Sequence, residues 1–474
     1  MPESVTDALT VALTRVMKRA PVSCPPGEHV RDAIERMRSL GIGSVIVVNE
    51  EGVPLGILTR RDVIARVVLE PGALDAPIER VMTRDPITLP ANATAYQAAL
   101  TMIRHGIQHL VLVDGDRLAG VISERDVFGL QSTDVRRLSA AIQGAQDLEA
   151  IEQFGRGISD LARRMLAQGV AVGALTAFIA SLNDLLTERI VQLEFRNAGL
   201  GATRWCWILM GSEGRSEQTL LTDQDNGIIF SPAAGQSVES AREAVLPAAR
   251  RINQALDRAG YRLCPGDIMA GNPQWALSLD EWREKFARWI DSGSPEALLH
   301  GAIFFDLRPL TGDVSLGGEL RHWMLQHTPR NQRFLRQMAE NALKNRPPLR
   351  MFGRIAVGED GRIDSKLNGA MPFVDAARIF TLAHGLDEVN TERRLRAAAP
   401  ALQVPSREME SWIAAFYYIQ RLRLQRQAEC LDRGVEVDNR IAPGVLDHFG
   451  HQMLRAAFRQ ARSIRKRLAL DYQL

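Results

Sequence analysis

A chain of 474 residues is too long for one ordinary core, and at roughly 100–200 residues per domain it predicts three or four domains. Hydrophobic residues at 46% and charged residues at 24% exclude disorder over most of its length. Lys+Arg 58 against Asp+Glu 56 leaves a formal charge of +2, so no global basic excess makes nucleic acid the main partner.

Cys24, Cys206, Cys264 and Cys430 are far apart and form no CxxC pair. That argues against a zinc ribbon, a thioredoxin-type site or a disulfide framework, and fits a reducing compartment. No run approaches ~18 uninterrupted apolar residues, so no transmembrane helix is expected. The first residues include Glu3 and Asp7 and lack a charged-then-apolar leader pattern. The expectation is a cytoplasmic protein with no membrane partner.

The first 130 residues repeat. Gly41-Ile42-Gly43-Ser44-Val45-Ile46 recurs as Gly106-Ile107-Gln108-His109-Leu110-Val111, an offset of 65. Gly56-Ile57-Leu58-Thr59-Arg60-Arg61-Asp62-Val63 recurs as Gly120-Val121-Ile122-Ser123-Glu124-Arg125-Asp126-Val127, an offset of 64. The one-residue slip falls in the turn at Glu51-Gly52 against Asp114-Gly115, where length changes are tolerated. Each copy reads as strand, helix, strand, turn, strand, helix. The helices are placed at Val30–Ser39 and Ala95–His105, the buried strands at Val45–Val48 and Leu110–Val113.

This order and spacing resembles a tandem pair of CBS (cystathionine-beta-synthase-type) modules over residues 13–131, divided as 13–72 and 78–131. The resemblance implies an adenosine nucleotide bound between the modules, with Asp62 and Asp126 accepting from ribose hydroxyls and Thr59 and Ser123 near phosphate at a helix start. Thr-x-x-Asp and Ser-x-x-Asp are equally the pattern of a helix cap. His109 is expected near the cleft, as a packed and hydrogen-bonded side chain.

Residues 132–198 contain no proline and read as a connector of two or three amphipathic helices, with Leu138, Ile142, Ile151, Ile158 and Leu161 at helical spacing. Helical-bundle packing is expected, with a coiled-coil lever as the alternative.

The apolar strand Trp205–Met210 then runs into Gly211-Ser212-Glu213-Gly214-Arg215-Ser216-Glu217, followed by Thr222-Asp223-Gln224-Asp225-Asn226 and a second apolar strand. A strand entering Gly-Ser and then a helix exposes backbone N–H groups suited to phosphate. Asp223 and Asp225, at i and i+2, share one face of a strand. Two carboxylates beside such a cradle suit Mg2+, and two such ions ~3.5–4 Å apart can clamp an in-line displacement at phosphorus. Ala302–Leu310 reads as a further apolar strand with one carboxylate, Asp306, whose burial would be costly without a partner.

The spacing Gly-Ser-(x)10-Asp-x-Asp resembles the DNA-polymerase-beta-type nucleotidyltransferases. The fuller Gly-Ser-x-Gly-Arg-x-Glu-x-x-x-x-Thr-Asp-x-Asp is similar to the branch holding protein-PII uridylyltransferases and glutamine synthetase adenylyltransferases. The whole layout is similar to bacterial signal-transduction proteins that join a CBS pair to such a domain. The resemblance implies catalytic and metal-binding Asp223, Asp225 and Asp306, with Asp306 helping to activate the acceptor. It also implies Gly211, Ser212 and Arg215 on the nucleotide, an NTP substrate, and an acceptor that includes protein side chains. Arg215 has the alternative of pairing with Glu217 or an Asp, and Arg308 that of orienting Asp306. Glu213 is expected to turn to solvent, away from the phosphates, and Asn226 departs from the apolar residue of the relatives.

The stretch from Cys264 to Trp275 is turn-rich and reads as a pocket lining or a structural loop. From Gly318 onward helices are expected at Leu320–Leu325, Asn331–Lys344, Pro372–His384, Val389–Ala399, Arg407–Gly434 and Pro443–Leu470. Lys366, Asp375 and Arg378 are candidates for the cleft, against ordinary surface salt bridges. Arg421, Arg423, Arg426 and Arg462–Arg467 read as solvated helix faces.

The predicted architecture is α/β and multidomain: the CBS pair, a connector over 132–198, a nucleotidyltransferase core over 199–317 and a C-terminal helical substrate domain over 318–474. A homodimer is expected from the habit of CBS pairs. The rival reading is a non-catalytic regulator that senses adenine nucleotide.

Overall fold

The computed structural model describes residues 13–17, 20–67, 70, 72–105, 107–123, 132–167, 169–196, 198–350 and 354–474. The chain divides near residue 140 into two compact units, the second comprising residues 141–167 and 172–474.

The first unit carries the repeat as structure. One copy runs β1 (Ser23–Cys24), α1 (Val30–Leu40), β2 (Ser44–Val48) and β3 (Pro54–Thr59), with β4 (Thr83–Arg84) added at the edge. The other runs β5 (Thr88–Pro90), α2 (Ala95–His105), β6 (His109–Asp114) and β7 (Arg117–Ser123). In both copies the first strand is parallel to the second and the second antiparallel to the third. Even the irregularity repeats, with a register shift at Val47/Val48 and again at Leu112/Val113. Ile46 and Ile57 of one sheet share a small core with Val111 of the other.

The segments that precede the copies are exchanged. Met17 packs on Gly120 of the second copy, and Met82 on Gly56 of the first. A Cβ on either glycine would come within 2.0 or 2.3 Å of the methionine sulfur. Leu13 accordingly belongs to the second copy's core, while Ile78, Val81 and Met82 belong to the first. Residues 13–17 therefore pack with the second module, and residues 78–84 with the first, across the boundaries expected from sequence.

The connector forms three helices, α3 (Ser132–Gly144), α4 (Leu148–Ala167) and α5 (Val172–Arg196). The last is no exposed lever. Leu175, Phe178, Ile179, Leu182, Leu186 and Ile190 form one buried stripe, and Thr176, Ala180, Asn183, Thr187 and Val191, buried beside it, extend the covered surface well beyond that stripe. α4 and α5 fold with the second unit.

That unit is built round a mixed sheet of order β10–β9–β8–β11, comprising β8 (Arg204–Leu209), β9 (Asn226–Ser231), β10 (Ala276–Ser278) and β11 (Arg308–Gly312). β9 is antiparallel to β8 and parallel to β10, and β11 is antiparallel to β8. Helices α6 (Val238–Arg258), α7 (Leu279–Ser292), α8 (Pro295–Phe304), α9 (Val314–His327) and α10 (Gln332–Ala342) accompany it. The C-terminal part is helical: α11 (Met371–Ala383), α12 (Thr391–Leu402), α13 (Ser406–Asp432) and α14 (His448–Asp471). One apolar core runs continuously from Cys206 and Ile208 of the sheet to Phe373, Trp412 and Phe458 of these helices. No helix among the described residues is long and apolar enough to cross a membrane.

Candidate active site

The site is assembled where β8 and β9 end side by side. β8 stops at Leu209, and the Met210 N–H donates to the Asp225 carbonyl at 2.8 Å. The chain then turns at Gly211, whose φ of +54° is left-handed. A Cβ there would sit 2.4 Å from Asp225 Oδ2, so only glycine admits the carboxylate this close. The helix expected after it is a single turn, Gly211–Gly214, which makes the macrodipole contribution to phosphate binding small. Gly214 is equally constrained, because its Cβ would lie 2.0 Å from the Asp306 carbonyl.

From Asp223 to Asn226 carboxylates alternate with amides, and strand geometry sends the two kinds to opposite faces. The amide face is locked. Gln224 Nε2 donates to the carbonyls of Asn253 (3.0 Å) and Tyr261 (2.8 Å). Asn226 Oδ1 accepts from Asn253 Nδ2 and the Ala270 N–H, both at 2.9 Å. This network accounts for the Asn226 side-chain oxygen, which accepts from α6 and the following loop, while its buried Nδ2 has no hydrogen-bond partner among the described residues. On the opposite face Asp223 and Asp225 line a cavity with Ser212. Burial raises the Asp225 carboxyl to about 6, against the opposing pull of Lys366, so it remains largely ionised at neutral pH. Cys264 reaches Asp225 Oδ1 at 3.6 Å. The rest of the Cys264–Trp275 stretch is structural: Asn272 caps a short helical turn and Trp275 Nε1 donates to the Asp267 carbonyl.

Glu213 does not turn to solvent as expected. It is buried, and desolvation together with the nearby Asp225 and Asp184 carboxylates holds its carboxyl well above the usual range. A neutral acid meets no like-charge repulsion from phosphate. Arg308 braces this loop: Nε donates to the Gly214 carbonyl at 3.2 Å, and Nη2 to the Glu213 carbonyl at 3.1 Å and to Asp184 Oδ1 at 2.9 Å. It makes none of the hydrogen bonds to Asp306 described below and does not itself line the cavity.

Asp306 is the main correction. The run 302–310 is not one strand: α8 ends at Phe304, β11 begins at Arg308, and Asp306 lies in the turn between them. A short apolar run cannot by itself distinguish a strand from the end of a buried helix. The carboxylate is fully buried in an arginine cage. Oδ1 accepts from Arg378 Nε (2.9 Å) and Arg394 Nη1 (2.5 Å), and Oδ2 from Arg378 Nη2 (2.7 Å) and Arg215 Nη1 (2.5 Å). Burial alone would raise its pKa, but the three guanidinium groups win and hold it far below the usual carboxylate range. All four hydrogen bonds come from protein, and Asp306 is not among the residues that line the cavity with Asp223 and Asp225. Among the described residues no three His, Cys, Asp or Glu side chains are placed to hold a metal.

Arg215 therefore serves Asp306 and, at 2.9 Å, Glu217, the alternative to a phosphate contact. Glu217 in turn accepts from the Thr391 N–H and hydroxyl at the start of α12, where an anion is favoured. Asp375 pairs with Arg378 at 2.8 Å inside the same network, not on the surface. Asp313, at the start of the next helix, caps α9 and pairs with Arg204.

The cavity measures about 50 Å³. Its opposite wall comes from the C-terminal helices: Lys366, Gln420 and Arg423. Arg423 is buried rather than solvated, as its basic run had suggested, and burial lowers its pKa to about 10, still protonated at neutral pH. Arg394 was missed in sequence and Arg423 was read as solvated. Each has arginine neighbours in sequence, and the available signal was its position on the core-facing side of its helix.

In the first unit Thr59 and Asp62 form a complete capping box. Thr59 N and Oγ1 donate to Asp62 Oδ2 at 2.9 and 2.6 Å, and the Asp62 N–H returns to Thr59 Oγ1 at 3.3 Å. Thr83 Oγ1 adds a bond to Asp62 Oδ1 at 3.1 Å. Ser123 pairs in register with His109, as Ser44 does with Thr59. Asp126 lies outside the described residues.

Comparison with known families agrees with this layout. Residues 13–69 and 78–132 match the CBS domain, residues 156–296 the family described as "Putative nucleotidyltransferase DUF294", and residues 332–472 its "Putative nucleotidyltransferase substrate binding domain". The chain is thus an α/β multidomain protein with an N-terminal CBS pair, a nucleotidyltransferase domain and a helical C-terminal substrate-binding domain. Ser212, Asp223 and Asp225 fall in the second match and Lys366 and Arg423 in the third, whereas Asp306 falls between them.

An uncharacterised protein of Methanopyrus kandleri is 32% identical over 26% of this chain and 63% of its own length. The inosine-5'-monophosphate dehydrogenase of Rhodopirellula baltica is 33% identical over 30% of this chain and 27% of its own. The chain thus spans less than two thirds of these curated relatives. Among solved structures, a CBS domain protein from Pyrobaculum aerophilum complexed with AMP is 26% identical, covering 28% of this chain and all of that one, with a TM-score of 0.24.

Proposed function

We propose that the second unit transfers a nucleoside monophosphate from an NTP to an acceptor, and that the first senses an adenosine nucleotide. The observation that carries the transfer reading is the pair Asp223 and Asp225 on one cavity wall with Ser212, at the paired ends of β8 and β9. Two carboxylates and a hydroxyl are a donor set for one hard divalent cation such as Mg2+, with phosphate oxygens and water completing its shell. When bound, that cation neutralises charge on the phosphates. Asp223 and Asp225 hold it, Gly211 lets the backbone approach, and Ser212 orients a phosphate oxygen. The acceptor hydroxyl would then give up its proton to water and bond through its oxygen to the α-phosphorus, while the bond from that phosphorus to the bridging oxygen of the β-phosphate breaks and pyrophosphate leaves.

The cage round Asp306 does not support the two-ion arrangement expected from sequence. A cavity of about 50 Å³ is far below the roughly 300–1,000 Å³ of ordinary ligand sites, so under either reading a nucleotide enters only as the wall withdraws. The cage favours the second reading, a nucleotide-binding regulator without turnover. The motif's similarity to the uridylyl- and adenylyltransferase branch supports UMP or AMP as the group transferred and a protein side chain as acceptor.

Labelled NTPs with Mg2+ and candidate acceptors separate the two readings. Transfer that disappears in the Asp223→Ala, Asp225→Ala double variant supports the enzyme. Transfer that survives it, or nucleotide binding without any transfer, removes it. For the first unit, AMP should raise the thermal midpoint of wild-type protein and not of the Asp62→Ala, Asp126→Ala variant.

A further inference from the structure

We infer that the polyphosphate of the substrate is gripped by Lys366 and Arg423 of the C-terminal helical region, not by Arg215 of the Gly-Ser motif. The inference rests on the nucleotide-binding reading and deepens it by assigning the residues that recognise the phosphates.

Six charged side chains line the cavity: Arg215, Glu217, Asp223, Asp225, Lys366 and Arg423. Arg215 and Glu217 pair with each other, and Arg215 is further bound to Asp306. That leaves Asp223 and Asp225 on one wall and Lys366 and Arg423 on the other. The other buried arginines of this region, Arg215, Arg378 and Arg394, each hold a carboxylate. Arg423, only 8% exposed, holds none. Its Nη1 donates to Gln420 Oε1 (2.5 Å) and its Nε to Asn439 Oδ1 (3.3 Å), both neutral amides, and its Nη2 has no hydrogen-bond partner among the described residues. Lys366, an exposed residue lining the same cavity, makes no direct ion pair among the described residues, although its charge acts across the cavity on Asp223 and Asp225.

No carboxylate among the described residues pairs directly with Arg423, the charges of Asp364 and Glu217 acting on it only from a distance, and a guanidinium removed from water in this way is costly to keep. Neutral amides hold this one in place without cancelling its charge. A planar fork with a free N–H edge and a flexible ammonium beside it match the oxygens of a polyphosphate. The facing carboxylates repel that anion unless a divalent cation lies between them, so the two walls are complementary to a metal-complexed triphosphate. Lys366 precedes α11 and Arg423 lies on α13, so the substrate would be held between sheet and helices.

Inorganic tripolyphosphate with Mg2+, titrated into the full chain by calorimetry, is the probe. Arg423→Met and Lys366→Met keep side-chain length and remove charge, and the unfolding midpoint of each reports whether the fold survives. Wild-type protein should bind with one event per chain that weakens at least tenfold in each variant and about a hundredfold in the double variant. Lys366→Met, at an accessible position, reads the proposal even if Arg423→Met unfolds. Folded variants that bind within twofold of wild type overturn it. Should they also transfer nucleotide in an Asp223- and Asp225-dependent manner, the transfer reading stands while this assignment falls. If wild-type protein binds neither tripolyphosphate nor NTP with Mg2+, both fall.

Discussion

Asp306 and Asp225 are aspartates of one compact unit, and their surroundings differ in the one respect that matters for chemistry. Asp306 receives four hydrogen bonds from three arginines, and nothing outside the protein is needed to satisfy it. Asp225 has one weak thiol contact on its carboxylate and a like charge two residues away, and it faces a cavity. A buried acid whose partners all come from protein secures the fold, whereas one whose partners are incomplete is poised to bind. The same contrast separates Arg378 and Arg394, each holding Asp306, from Arg423, which holds no carboxylate.

The sharpest way to break this comparison is to remove the caged acid. Asp306→Ala leaves Arg394 without its carboxylate and takes one of two from Arg215 and Arg378, and should cost about 3–5 kcal/mol in urea unfolding. The sign with pH follows from its depressed pKa. The stability Asp306 supplies is complete above the unfolded value of ~3.9 and is lost as pH falls below it towards the folded value. The gap between wild type and Asp306→Asn should therefore narrow below about pH 4. A variant as stable as wild type at pH 7 would show the cage to be dispensable.

The open pair should behave in the opposite way. Asp223→Ala with Asp225→Ala should leave the unfolding midpoint unchanged or raised, because like charges are relieved. Loss of the cation's charge stabilisation, several kcal/mol, should lower transfer by at least about a thousandfold. Chelation of divalent ions in wild-type protein should reproduce that loss, and its failure to do so would remove the metal from the reading.

A smaller perturbation sharpens the same point without touching a charge. Gly211→Ala forces a Cβ into a left-handed position 2.4 Å from Asp225 Oδ2. The backbone cost is about 1–2 kcal/mol. Transfer should fall by about tenfold or more as the carboxylate is displaced. Gly235→Ala, also left-handed but with open space about its Cβ, should show the backbone cost and no loss of transfer.

How much of this was legible in sequence depends on whether the signal was local. The repeat, both of its glycines and its turn, and the strands either side of Gly211 depend on residues near one another, and periodicity exposed them. Asp223 and Asp225 were legible for the same reason, since the two-residue spacing sets their common face. The exchange of Met17 and Met82 between modules is a tertiary choice that no local pattern encodes. Asp306 was misread because a single acid in an apolar run signals that a partner exists without naming it. Three arginines lying 91, 72 and 88 residues away in sequence supply that partner. Arg423 was hidden among the basic residues of α13, where neighbouring Arg426 is an ordinary partner of Asp438.

The weakest expected effect tests whether the repeat pairs structure with binding or keeps them apart. Thr59 and Asp62 form a capping box, and Thr59→Ala should cost about 1 kcal/mol whatever the unit binds. Thr59→Ser keeps the hydroxyl that the cap needs and should recover most of that stability. If an adenosine nucleotide uses the same residues, Thr59→Ala should also lower the thermal shift given by AMP, and Thr59→Ser should restore it. A variant that loses stability but keeps the full shift would leave Thr59 as a cap alone. Because Asp62 already accepts from Thr59 and Thr83, a ribose hydroxyl would have to displace or share one of these bonds. The AMP-bound form should then show altered hydrogen exchange at the Asp62 amide, the donor that closes the box.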